Sequence, residues 1–351
     1  MFFKSAEDYY KEMTSTLKDV DISKKSLVYN SLMPCCYELS YQSMMLDEAT
    51  KMVFASSALE NKYSLYLERR CLEQGIKRKE ATTATGTIKV VGKKKAKLPE
   101  KALISTKLGL SYITQQDVIL DDSGVGYTTI TAEKEGSKYN ADVGEINSMP
   151  VKYEGIFSIS NEEKINNGYD IESDEDLYNR YLLKVQTPAT SGNKYHYEQW
   201  ALDTTGVGFA KCIPGKGHVK VIITDSNKRA ASKELIKEVY DHIDNVRPIL
   251  AGTLEVTTVK ETNINITANI EIDSSVILGD IQKIFADEIQ KYINDIVFKS
   301  KKISIAKLGG LLIGINGVID YSNLKINNSS NNITLLEEEI AVLGTVELGV
   351  M

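Results

Sequence analysis

Residues 167–181 read NGYDIESDEDLYNRY and set five acids, Asp170, Glu172, Asp174, Glu175 and Asp176, inside seven positions. The stretch lies where a composition rich in Thr, Val and Ile gives way to one rich in helix formers, so its reading decides how the chain is divided. A calcium loop needs oxygen ligands at alternate positions, glycine at the sixth and a bidentate glutamate at the twelfth. Counting from Asp170, the sixth position is Glu175 and the twelfth is Tyr181, so the loop fails. A helix start fits better. Ser173 can cap, Asp176 stands three residues on in a capping-box position, and Asp174 and Glu175 oppose the positive end of the helix.

Outward from this point the chain divides by composition. Residues 1–80 are expected to be helical, because LSYQSMMLDEATKMVFASSALENKYSLYLERRCLEQG holds no proline and no glycine before Gly75. Met45, Ala49, Met52, Leu59, Tyr63 and Leu67 recur there at three-to-four spacing. Such a stripe is either a helix face turned to the chain's own core or a face completed by another chain, as Met-rich surfaces often are. Residues 81–165 are expected to form a β-rich domain, with short Thr/Val/Ile runs bounded by turn residues. Within it, VGKKKAKLPEK (91–101) clusters lysines without interleaved aromatics for base stacking, and so reads as a solvated hairpin tip.

Residues 166–261 alternate helices, over 173–186, 192–204 and 230–245, with strands near 207–213, 217–224 and 253–259. Residues 262–351 open with the alternating strand TNINITANIEI, followed by a helix carrying Ile281, Ile284, Phe285, Ile289, Tyr292 and Ile293 on one face. They close as strand, Asn/Ser turn and two further strands. The fold class is therefore α+β and multidomain: an N-terminal helical segment, a β-rich domain, then two small α+β domains.

Composition narrows the function classes. A chain of 351 residues with 42% apolar residues can bury a core in each of several domains. Its 48 acids against 42 bases, formal charge −6, give no global reason to expect nucleic acid or an anionic membrane as partner. The opening MFFKSAEDYYKEM lacks the pattern of a secretory signal, and no run approaches the roughly 18 apolar residues that span a bilayer. Cytoplasmic synthesis is the expectation. Cys35, Cys36, Cys71 and Cys212 form no C-x-x-C, and His196, His218 and His242 are scattered, so ligands for a zinc site are in short supply. GVGFAK (206–211) lacks the third glycine of a dinucleotide loop and follows a helix instead of a strand. Walker, G-x-S-x-G and H-E-x-x-H motifs are missing from the sequence. The motifs leave an enzyme unsupported and not excluded.

Read in order, several pieces resemble the baseplate J-like family, wedge subunits of contractile phage tails and of tail-like bacteriocin particles. They are EQGIKRKEATTATGTI (73–88), GSKYNADVGEI (136–146), YEGIFSISN (153–161), the opening stretch with Arg180 in its helix, TSGNKYHYEQWA (190–201), GVGFAKCIP (206–214) and IDNVRPILAG (243–252). The resemblance spans nearly the whole chain. It departs at LPEKALIST (98–106), where the family usually shows a proline followed by a Gly-Thr pair.

The resemblance implies a structural protein without cofactor that pairs with a second copy of itself. It implies binding of a smaller baseplate wedge protein through the N-terminal helices and linkage of neighbouring wedges, through residues 262–351, into a ring around the hub. Contacts with sheath-initiator or hub proteins and rearrangement when sheath contraction is triggered belong to the same expectation, as does assembly in the bacterial cytoplasm before incorporation into the particle. The alternatives are a particle-borne cell-wall hydrolase and a carbohydrate-binding adhesin. The only tryptophan, Trp200, falls in a helix and reads as core rather than as an exposed platform for sugar.

Overall fold

Ser5 and Asp8 close a capping box at the start of helix α1 (Ala6–Thr14), and Ser26 caps α2 (Leu27–Val53) through the amide of Tyr29. The structure, a computed structural model, describes residues 2–187, 189–249, 251–273 and 276–351. One helix was expected through the proline-free stretch after Leu39, but the chain breaks it twice. Phe54 turns extended at φ −93° and ψ 134°, which ends α2 and begins α3 (Ala55–Glu60). Lys62 then takes φ +59° before α4 (Ser64–Leu72). The breaks fold the segment back on itself, so Ala58, Leu67, Cys71 and Ile76 meet in one buried cluster.

The chain forms two compact units, and the helical one is discontinuous: it takes Met1–Arg78 together with Glu172–Gln186. The acidic stretch therefore opens α5 (Asp174–Gln186), which returns to the N-terminal helices instead of starting the expected 166–261 domain. Leu177 of α5 is fully buried in the cluster with Leu67 and Cys71, and Tyr178 and Tyr181 pack at its edge. At the start of α5 the Ser173 Oγ accepts from the Asp176 amide at 3.1 Å and donates to the Asp176 carboxylate at 2.8 Å.

The other acids are not a free exposed cluster. Asp170 accepts from the amide and hydroxyl of Ser137. Arg78 pairs with both Glu68 on α4 and Asp174 on α5, and donates to the Glu172 carbonyl. Burial pushes the Asp174 carboxyl upward, but Ser64 and Arg78 outweigh it and hold the group below the ordinary aspartate range. Arg180 pairs with Glu172 at 2.8 Å, both side chains nearly buried, and donates to the Lys77 carbonyl at 2.6 Å.

The second unit spans Lys79–Ile171 and Thr187–Met351. Its first part is a nearly closed barrel of β1 (Thr83–Gly92), β3 (Leu103–Thr106), β4 (Ser111–Thr114), β6 (Val125–Glu135), β7 (Ile146–Ser148) and β8 (Ile156–Ser160), with a ribbon of β2 (Lys97–Leu98) and β5 (Val118–Ile119). The barrel order is β7-β3-β4-β6-β1-β8, all pairs antiparallel, around Ile88, Val90, Ile104, Tyr112 and Ile130. The lysine-rich turn is exposed and answered by acids, Lys94 by Asp122 at 2.8 Å and Lys97 by Asp117. In the segment that departs from the family pattern, Lys101 takes φ +61°, a conformation glycine adopts freely and other residues at a cost of about 1 kcal/mol.

The central domain pairs β9 (Val207–Gly215) antiparallel and β11 (Thr253–Thr258) parallel to β10 (His218–Asp225), under α6 (Lys194–Asp203) and α7 (Lys233–Val246). In the C-terminal domain β12 (Lys260–Ile272) takes the centre, antiparallel to β14 (Val318–Ile326) and parallel to β16 (Glu339–Val350). Helices α8 (Leu278–Ile296) and α9 (Ile305–Ile313) pack there beside a short ribbon of β13 (Lys302–Ile303) and β15 (Ile333–Thr334). Ile264, Ile266, Ala268 and Ile270 face the core at every second residue, against Ile281, Phe285, Ile289 and Ile293 at every fourth. Ile284, expected on that inner face, is 46% exposed, because it lies one residue round the helix from Phe285.

Asp225, at the end of β10, is 3% exposed and accepts from the Arg229 amide at 2.8 Å. Burial raises its carboxyl to about 6, with the Arg229 and Asn227 amides pulling the other way and Glu261 adding to the rise. A raised acid favours the fold when protonated, so its contribution is complete below the unfolded value near pH 4 and disappears as pH climbs through about 6.

Two outcomes are expected. Arg180→Leu removes the arginine from the nearly buried Arg180–Glu172 pair and lowers stability by about 2–4 kcal/mol in denaturant unfolding, with Glu172→Gln in the same chain recovering part of the loss. Asp225→Asn keeps an acceptor for Arg229 but cannot ionise, so its stability relative to the natural chain rises by about 1–3 kcal/mol between pH 4 and pH 7. Parallel pH profiles would contradict the buried-acid reading.

Candidate assembly surface

Helix α2 is 27 residues long, yet only Met33, Cys36 and Ser43 on it are buried. These three share one face, on which Ala6, Tyr9 and Tyr10 of α1 pack, with Tyr10 edge-on to Tyr29 at 5.1 Å. Rotated away from α1, Tyr37 and Tyr41 stand four residues apart, with Met44 and Met45 three and four residues beyond Tyr41, and each of the four is about half exposed. Leu27 at the start of α2 is 82% exposed and Phe54 at its end 61%. Scattered exposed apolar residues need no explanation, but a row along one helix is the pattern of a surface that another element covers.

The six residues of the sequence stripe separate on this unit. Met45 and Ala49 are exposed and Met52 is partly exposed on α2. Leu59 and Tyr63 are half-buried against the inner cluster, and the Tyr63 hydroxyl donates to Glu48. Leu67 is fully buried and offers no surface to another chain, which corrects its assignment to the interface. The physical reason is the pair of breaks at Phe54 and Lys62, which turn the second half of the stripe inward. Tyr37, Tyr41 and Met44 lie N-terminal to the stripe, which begins at Met45, and the same three-to-four spacing extended toward the N-terminus reaches them.

Several cysteine, histidine and glycine positions singled out in the sequence are engaged in packing. Burial raises the thiols of Cys71 and Cys212 to about 11, which leaves them protonated near neutrality. His196 stacks on Trp200 at 4.0 Å, and Trp200 packs against the central core. His218 lies between Thr253 and Glu255 on the surface of the central sheet. A Cβ on Gly206 would meet the Tyr169 ring at 2.7 Å, and one on Gly208 the Asp225 carbonyl oxygen at 2.3 Å, so the glycines of GVGFAK serve close packing. Among the described residues no group of three or more His, Cys, Asp and Glu is placed to hold a metal ion, and no helix is long and apolar enough to cross a membrane. In IDNVRPILAG, Leu250 lies outside the described residues.

Comparison with known proteins follows the same divisions. Residues 83–168 match the baseplate J-like protein barrel domain, residues 189–259 the baseplate J-like central domain, and residues 264–349 the baseplate J-like protein C-terminal domain. The gap between the first two matches holds α5, the helix that returns to the helical unit. The chain is similar to the XkdT protein of the phage-like element PBSX of Bacillus subtilis, 28% identical over 96% of this chain and 94% of that one. It is 27% identical to protein gp47 of the Mu-like prophage FluMu of Haemophilus influenzae, over 87% of each chain. To the baseplate protein gp47 of Escherichia phage Mu it is 26% identical, over 53% of this chain and 54% of that one. Among solved structures, a chain of the anti-feeding prophage baseplate aligns with a TM-score of 0.38 at 10% identity, covering 96% of this chain and 89% of that chain. With three successive domains matched in order, the chain belongs to the baseplate J-like family of phage and prophage baseplate proteins.

Proposed function

We propose that this baseplate protein is a wedge subunit of a contractile phage tail or tail-like particle and that it performs no turnover. On this reading the helical unit binds a smaller wedge protein and a second copy of the chain, while the C-terminal domain meets neighbouring wedges in a ring around the hub. Assembly takes place in the bacterial cytoplasm, and the finished ring rearranges when sheath contraction is triggered. The observation that carries the reading is the apolar row Tyr37, Tyr41, Met44 and Met45, left half exposed on a helix whose other face is already packed. Burying the exposed half of side chains of this kind contributes about 1 kcal/mol each, and four in a row give a partner helix a continuous apolar seat. Aromatic and methionine side chains are also enriched at the cores of protein interfaces. The similarity to the baseplate protein of phage Mu supports a place in a baseplate.

The test is assembly in cells carrying a Tyr41→Lys, Met45→Lys variant. Both positions are exposed, so the isolated chain keeps its melting temperature. An ammonium buried in a partner contact costs several kcal/mol, and tails should fail to form, with the wedge complex missing by native mass measurement. Normal particles from this variant would remove the interface from α2. The conservative Met45→Leu should assemble normally.

A further inference from the structure

The joint between the central and C-terminal domains, both within the second unit, carries a one-sided charge pattern. Lys211 of β9 pairs with Glu337 at 2.8 Å, and Lys220 of β10 pairs with Glu338 at 2.6 Å. Arg229, in the turn after β10, grips Glu261 of β12 with two nitrogens at 2.9 and 2.8 Å, and the Ala230 amide adds a third bond at 2.8 Å. In these three pairs every cation comes from the central domain and every anion from the C-terminal domain. The acids at 337 and 338 belong to the run LLEEEIAV, which found no role in the sequence.

The same joint holds a small apolar patch, which includes Ile222, the cross-strand partner of Lys211. Ile222, Val259, Val297, Ile340 and Val342 are all buried, and Phe209 tilts against Phe298 at 5.6 Å. Val259 is the single residue between β11 and β12. Its amide donates to the Ile223 carbonyl at 3.4 Å, and the Lys260 amide donates to the Glu338 carbonyl at 2.9 Å. A strand of one sheet thus runs almost directly into a strand of the next. The ion pairs are partly exposed, so each adds little to the strength of the joint. The apolar patch holds it closed but, being non-directional, does not choose between closely related orientations. Three charge pairs at separate points do.

We propose that the central and C-terminal domains form one rigid arm, latched in a single register by Lys211–Glu337, Lys220–Glu338 and Arg229–Glu261, so that any change of shape is taken up outside this joint. The proposal concerns the chain itself and stands whichever partners it meets. It also predicts that the C-terminal domain is not separable by truncation near Glu261, because the cut would uncover Ile222 and Val259.

The experiment measures distances between spin labels on the full chain, at Lys237→Cys on α7 and Lys291→Cys on α8, with Cys35→Ser removing the exposed thiol. One narrow distance is expected for the latched chain. Lys211→Gln, Lys220→Gln and Arg229→Gln together should widen the distribution by roughly twofold or more, since the patch then holds several orientations. A second variant, Lys220→Glu with Glu338→Lys, swaps one pair without removing it and should stay narrow even if the triple variant folds poorly. A broad or two-peaked distribution in the unmodified latch would overturn the rigid arm. A triple variant that folds and remains as narrow as its parent would overturn the role of the charges.

Discussion

A guanidinium held between two stretches of chain almost a hundred residues apart is the constraint on which the helical unit depends. Arg78 sits where the N-terminal helices end, and it binds the side chain of Asp174 and the carbonyl of Glu172 where the chain comes back. Arg180 closes the same junction from the other side through Glu172 and the Lys77 carbonyl. The whole barrel lies between these two points in sequence. Without the clamp, α5 would have to be retained by Leu177, two tyrosines and the Ser64–Asp174 hydrogen bond against the entropy of closing a long loop. Glu172 and Asp174 are therefore fasteners, and with Asp176 beside them one short segment caps a helix and answers two arginines.

Much of the fold was legible because period and burial agree locally. The strand at Lys260–Ile272 alternates cleanly and is half buried, and α8 repeats every fourth residue against it. Helix α5 begins one residue after its expected cap. The failures have a common physical origin in interactions distant in sequence. Nothing near Asp174 indicates that its helix belongs with residues 55–76 and not with the sheet that follows. Nothing near Leu39 requires the breaks at Phe54 and Lys62, since both residues are tolerated in helices and only tertiary packing turns the chain there.

The candidate assembly surface was half legible for the same reason. A single stripe from Met45 to Leu67 assumes one continuous helix, and a helix with two breaks cannot present one face over that length. Its first half remains on the surface and its second half becomes core. Exposure also could not be read from periodicity, because an apolar row looks alike whether its own chain or another chain covers it. What distinguishes them is that α1 already occupies the Met33–Cys36–Ser43 face and leaves the tyrosine–methionine face of α2 open.

The central claim is that this open face is where the protein joins its particle, and an image of the finished particle tests it most directly. In a reconstruction at side-chain resolution, the account predicts that Tyr37, Tyr41, Met44 and Met45 are covered by helical density from another chain. The same side chains facing solvent in an intact baseplate, with the contacts of this chain made elsewhere, would contradict it.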